Sequence, residues 1–150
     1  MTQHTIAIGS DHAGFECKEF IKETIKSSNW GFALADVGTY SSDSVDYPDF
    51  AHQVAIKVKE KEVQFGVLIC GSGNGVCMTA NKLPGIRAAL CWSTEIAELA
   101  RKHNDANILC IPARFVTNAE ATHMLKVFLD TEFEGGRHKK RVDKIDTYQM

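Results

Sequence analysis

Two rhythms of hydrophobicity alternate along the chain. Short, nearly continuous apolar runs bounded by turn residues recur at 5–9 (TIAIG), 32–37 (FALADV), 65–69 (FGVLI), 86–91 (IRAALC) and 107–111 (NILCI). Each has the character of a strand covered on both faces, the second being the weakest in strand propensity. Between them lie stretches with helical periodicity. Cys17, Phe20, Ile21, Thr24 and Ile25 share one face of the first, with Lys18, Glu19, Lys22, Glu23 and Lys26 largely outside it. A helix over 49–60 aligns Phe50, Val54 and Val58, residues 76–82 and 94–103 read as helices, and 118–130 places Ala121, Met124, Leu125, Phe128 and Leu129 together. The polar connection at 38–48 (GTYSSDSVDYP) is longer than most.

Five strand–helix units in succession predict a three-layer α/β fold, an open parallel five-stranded sheet with helices on both faces. Right-handed crossovers leave few other arrangements. Ligands in such sheets bind at the carboxyl ends of the strands.

Composition narrows the class. With 150 residues, 44% of them hydrophobic, the chain is expected to form one domain (1–150) with a real core. A net charge of −2 with mixed signs gives no support to nucleic-acid or membrane binding, which leaves small molecules as the expected partners. No charged leader precedes an apolar segment, and no apolar run approaches the roughly 20 residues of a membrane span, so a cytoplasmic protein is expected. The five cysteines are odd in number and form no CxxC pair, which argues against disulfides and zinc alike. Only the tail, 135–150, is strongly basic. If its 137–145 segment is helical, Arg137 and Arg141 lie on one face at a spacing suited to one phosphate; a solvated terminus is the alternative.

The candidate chemistry gathers at the end of the central strand. That run stops at Cys70, Gly71, Ser72, Gly73, Asn74 and Gly75, and the following helix would turn its N–H groups and dipole toward a bound anion. Gly71, Gly73 and Gly75 give GxGxG, not the dinucleotide GxGxxG, and no GxxxxGK[ST] occurs. A sugar phosphate or other small anion remains open. Cys70 stands where amides and a helix terminus favour thiolate, as nucleophile or base, or else it is a small buried hydrophobe. Cys17, Cys77, Cys91 and Cys110 read as packing. His103 aligns with Ile96, Leu99 and Ala100 as a core histidine would, yet it also ends a helix whose dipole favours imidazolium, a competent acid. Asp11 either caps the first helix or, with His12, faces the site from another strand end. His4, His52 and His123 read as structural or surface residues, and no metal is required.

Six blocks taken together, SDHAG (10–14), DYPDFA (46–51), ICGSGNG (69–75), NKLPGIRAAL (81–90), RKHNDAN (101–107) and EGGRHKKRV (134–142), resemble the signature of the type B ribose-5-phosphate isomerases. That family also holds galactose-6-phosphate and allose-6-phosphate isomerases. The resemblance spans nearly the whole chain. It implies a Rossmann-like homodimer or dimer of dimers with active sites at the subunit interface. The implied reaction is a metal- and cofactor-free aldose–ketose isomerisation of ribose 5-phosphate and ribulose 5-phosphate through a cis-enediolate, in the non-oxidative pentose phosphate pathway.

By the same resemblance Cys70 matches the base and His103 the proton donor in ring opening. Gly71, Ser72, Gly73, Asn74 and Gly75 match the loop around the enediolate, with Ser72 near the migrating proton. Asp11, His12 and Asn104 match sugar or phosphate contacts. Arg114, Arg137 and Arg141 match the phosphate cluster, part of it reaching in from the neighbouring chain, so the tail belongs to the site. Some members use a glutamate just after the glycine loop as base; Val76 stands there, which places this chain with the cysteine branch. An isomerase of six-carbon sugar phosphates is the alternative reading, and a non-catalytic sugar-phosphate sensor is a more distant one.

Overall fold

The computed structural model of the chain describes residues 4–148. In chain order the elements are β1 (His4–Ser10), α1 (Phe15–Ser27), β2 (Phe32–Asp36), α2 (Tyr47–Lys59), β3 (Phe65–Cys70), α3 (Asn74–Ala80), β4 (Ala88–Leu90), α4 (Thr94–Asn104), β5 (Ile108–Pro112), α5 (Asn118–Asp130) and α6 (Arg137–Asp143). All strand pairs are parallel and their order is β2-β1-β3-β5-β4. The expected α/β architecture is therefore present, with β3 at its centre. No helix among the described residues is long and apolar enough to cross a membrane.

Period-two alternation divides the core into two layers. Ile6 and Ile8 of β1, Phe65, Val67 and Ile69 of β3, and Leu109 and Ile111 of β5 pack beneath α1, α4 and α5. Ala7, Leu68, Cys70, Ile108 and Cys110 point the other way, against α2 and α3. On that second face α2 comes close because Gly66 has no side chain: a Cβ there would stand 2.6 Å from Cγ1 of Val54.

Two element boundaries differ from those the pattern suggests. The edge strand β4 is shorter than its apolar run: at Arg87 the backbone N donates to Asn107 Oδ1 (2.8 Å) while its carbonyl still accepts from Asn107 N (2.9 Å), so a side chain takes one side of the pairing there. Helix α2 starts before Pro48, which is tolerated in a first turn because its missing N–H would have no partner. The span of α5 matches expectation, and a reciprocal cap fixes its start: Thr117 and Glu120 each accept the other's backbone N–H (3.0 and 3.1 Å respectively).

Helix α1 contradicts its pattern at two positions. Phe20 is exposed, whereas Lys18, expected outside the apolar face, is 0% exposed. Its ammonium donates to both carboxylate oxygens of Asp36 (2.9 and 2.7 Å) and to Glu19 (3.0 Å). A buried cation is tolerable only when paired in this way. Asp36, at the end of β2, also accepts from Lys22 (2.7 Å) and from Gly38 N (2.9 Å), which holds the start of the long connection. Burial pushes the Asp36 carboxyl upward, but the hydrogen bonds from Lys18 and Lys22 outweigh it and keep it below the ordinary carboxylate range.

Removing one partner leaves a buried charge uncompensated, so Asp36→Asn is expected to cost about 3 kcal/mol of stability. Because the folded carboxyl titrates below its unfolded value, this contribution is present above pH ~4 and fades as pH falls through the lowered value. Urea melts of the two proteins across acidic pH check both points; parallel curves at every pH would show that the ion pair contributes no pH-dependent stability.

Candidate active site

The strand ends converge as expected at the carboxyl edge of the sheet. β3 delivers Cys70, buried on the α2/α3 side, and the chain then turns through Gly71, Ser72 and Gly73 into α3. Gly73 takes φ 75°, and a Cβ on it would stand 2.5 Å from Leu90 Cδ1 and 3.2 Å from the backbone N of Pro112. Only glycine meets both demands. Helix α3 is short, so the loop amides, more than a long dipole, supply the positive field here. Asn74 N donates to Ser72 Oγ (3.3 Å), while Gly75 N has no acceptor among the described residues.

A cavity of about 330 Å³ lies over this loop, lined in part by Asp11, His12, Cys70, Ser72, Gly75 and Arg114. Asp11 is buried and its Oδ1 accepts from Gly14 N (3.0 Å), so its carboxylate organises the β1–α1 turn at the same edge. His12 Nδ1 accepts from Val45 N (3.2 Å), which turns Nε2 away from the backbone and ties the 37–46 connection to the site. The Arg114 guanidinium lies against Gly71, where a Cβ would approach Cζ to 3.1 Å. Tyr47 was not among the residues singled out from sequence, yet it lines the same cavity and its ring closes on Gly75. Its signal was present in the DYPDFA block, where Pro48 starts the helix that carries it.

The remaining candidates are elsewhere. Helix α4 carries the chain back down the sheet before β5 begins, so His103 and Asn104 sit at the amino edge. Strand β3 alone separates the two edges by roughly 17 Å, at about 3.3 Å per residue. His103 is not in the core: its side chain is 40% exposed. Its ring stacks on His138 of α6 (4.2 Å between centroids, 14° between planes) and its Nε2 lies 3.5 Å from Glu134 Oε1. Arg141 and Asn104 share with these two histidines a second cavity of about 340 Å³, and α6 is helical over Arg137–Asp143, a shorter span than 137–145 but one that puts Arg137 and Arg141 on a common face where a solvated terminus was the alternative. Partial burial, His103 and Arg137 hold the His138 imidazole below its ordinary range.

Comparison with known proteins gives the family. The sequence profile of the ribose/galactose isomerases matches residues 6–145. The chain belongs to the ribose/galactose isomerase family. Among its relatives, a probable ribose-5-phosphate isomerase B of Mycoplasma genitalium is 48% identical over 96% of this chain and 95% of its own length. Among solved structures, ribose 5-phosphate isomerase of Thermotoga maritima has a TM-score of 0.94 at 46% identity, covering 98% of this chain and 100% of that one. Ribose-5-phosphate isomerase B of M. genitalium with bound ribulose-5-phosphate has a TM-score of 0.91 at 47% identity, covering 99% and 97%.

The thiols of this chain differ sharply. Burial pushes Cys17 to about 11, and burial with the nearby Cys77 pushes Cys91 to about 12. Cys77 is lowered, chiefly by a hydrogen bond from Cys110.

The Gly73 geometry yields a direct expectation. Gly73→Ala must place a Cβ against Pro112 backbone at positive φ, at a cost of about 1–3 kcal/mol. A melting temperature lower by several degrees, with loss of turnover larger than the unfolded fraction explains, is the expected result; an alanine protein melting like wild type would remove the steric argument.

Proposed function

We propose that this protein interconverts D-ribose 5-phosphate and D-ribulose 5-phosphate, and that it does so without a metal, through a cis-enediolate. The observation that carries the reading is the match, at 47% identity over 99% of the chain, to a protein holding ribulose-5-phosphate. The reaction moves a carbonyl between C1 and C2. It needs a base for the C2 proton, donors for the developing enediolate oxygen and an acid for ring opening.

Cys70 takes the base role. The competing groups are occupied or absent: Asp11 caps the turn at Gly14, and Val76, where a carboxylate base would otherwise stand, is fully buried. The thiolate removes the C2 proton and returns it to C1, while the amides of the glycine loop stabilise the enediolate and Ser72 flanks the migrating proton. His12 Nε2 and Arg114 hold the substrate from the same edge. His103 protonates the ring oxygen, Asn104 contacts the sugar, and Arg137 and Arg141 bind the phosphate. That phosphate does not react, so its binding energy serves to position the sugar.

Cys70 and His103 at opposite edges of one sheet support a site shared between two copies, with the Cys70 edge of one facing the His103 edge of the other. Apolar side chains rim the Cys70 edge: Trp92 is 56% exposed and Phe115 74% exposed, beside Leu90 and Pro112. A two-fold dimer buries such a patch and completes two sites at once. The reaction belongs to the non-oxidative pentose phosphate pathway, and the protein is cytoplasmic.

Turnover of ribose 5-phosphate should vanish in Cys70→Ala while the protein still binds the sugar phosphate in calorimetry. Activity surviving that change would put the base elsewhere, and turnover confined to allose 6-phosphate or galactose 6-phosphate would reassign the substrate within the family. Arg137→Ala should raise KM more than it lowers kcat.

The shared site makes a sharper prediction. Subunits carrying Cys70→Ala and His103→Asn, each inactive alone, should regain about a quarter of wild-type activity when unfolded and refolded together, since half the random dimers carry one intact site of two. No recovery in the mixture would mean that both residues act within one chain.

A further inference from the structure

The acid end of the molecule holds more ligands than the isomerisation uses. Glu134 and His138 have no assigned part in the chemistry above, yet each places a donor atom beside His103. One nitrogen from each ring and one Glu134 oxygen all lie within 4.8 Å of one another. We propose that His103, Glu134 and His138 bind a divalent transition-metal ion of the zinc type, and that the bound ion silences His103.

The geometry and the ligand set both favour such an ion. Metal–ligand bonds near 2.0–2.2 Å in a tetrahedron put neighbouring ligand atoms about 3.3 Å apart. The His103–Glu134 pair, at 3.5 Å, already meets that spacing. The His138 ring lies nearly parallel to His103, so coordination of one ion by both would require this partly exposed side chain to turn out of the stack. Two imidazoles with one carboxylate suit zinc, copper or nickel, whereas calcium and magnesium require more oxygen ligands. Three protein ligands leave a fourth position open to water.

The three side chains are also held together by the backbone around them. Arg101, buried one turn before the end of α4, donates to Ala106 O (2.7 Å), Asp105 (2.9 Å) and Thr131 O (3.1 Å) and lies over the Phe65 and Phe128 rings. Glu134 N then donates to Lys102 O (3.1 Å), and His138 N to Gly135 O (3.1 Å). The helix end and the 131–136 segment are thereby fixed side by side. Coordination would occupy the Nε2 lone pair of His103, and any proton there would leave to solvent, so Nε2 could no longer hand a proton to the sugar while Nδ1 kept its own. This silencing rests on His103 being the acid of the proposed function; the binding does not.

Calorimetric titration of the metal-free assembled protein with Zn²⁺ tests the site, with Co²⁺ absorption as a second probe of ligand type. One ion per chain is expected, bound at least about tenfold more weakly by Glu134→Gln and by His138→Asn, and unchanged in a Cys70→Ser, Cys77→Ser protein. Equal affinity in the two ligand variants, or loss of binding in the cysteine protein, would overturn the site. Zn²⁺ should also stop wild-type turnover, with full recovery on chelation; an ion bound stoichiometrically without effect on turnover would overturn the silencing alone.

Discussion

A sheet whose strands all run one way obliges every helix to carry the chain back across the full length of a strand before the next can start. That constraint distributes the chemistry of this protein. Residues that follow strands, namely Asp11 and His12 after β1, Cys70 and the glycine loop in β3 and its turn, and Arg114 after β5, collect at the carboxyl edge. Residues that end α4 or follow α5, namely His103, Asn104, Glu134, His138 and Arg141, collect at the amino edge. No side-chain rotation joins the two groups within one chain.

Much of this was legible in the sequence, for identifiable reasons. The central strand is apolar at every position because it is buried on both faces, and α5 combines a single apolar stripe with a reciprocal cap. The glycine loop advertised itself because its backbone must bend where a side chain would collide. The edges of the fold were less legible. β4 yielded part of its ladder to the side chain of Asn107, a tertiary contact that no local pattern announces.

The residues whose surroundings the sequence left least legible share a cause. Lys18 looked solvent-facing because periodicity registers only apolarity, whereas its burial depends on Asp36, which belongs to the next strand. His103 aligned with an apolar stripe, yet the stripe runs out at the helix end and its last member faces α6 and solvent. Tyr47 lacked any chemical oddity, and only the folded α2 shows its ring against Gly75. In each case the sequence held the residue but not its neighbour.

The close approach of α2 at Gly66 has a consequence for how sequences of this fold can drift. With 2.6 Å between a hypothetical Cβ and Val54 Cγ1, and 3.1 Å to both Ile108 and Val58, the pocket has no room for even one methyl group. Position 66 can therefore gain volume only where position 54 has first given it up. Two residues far apart in the chain are bound into one inherited unit, and an alanine at 66 should be tolerated only in lineages that already carry something smaller than valine across the interface.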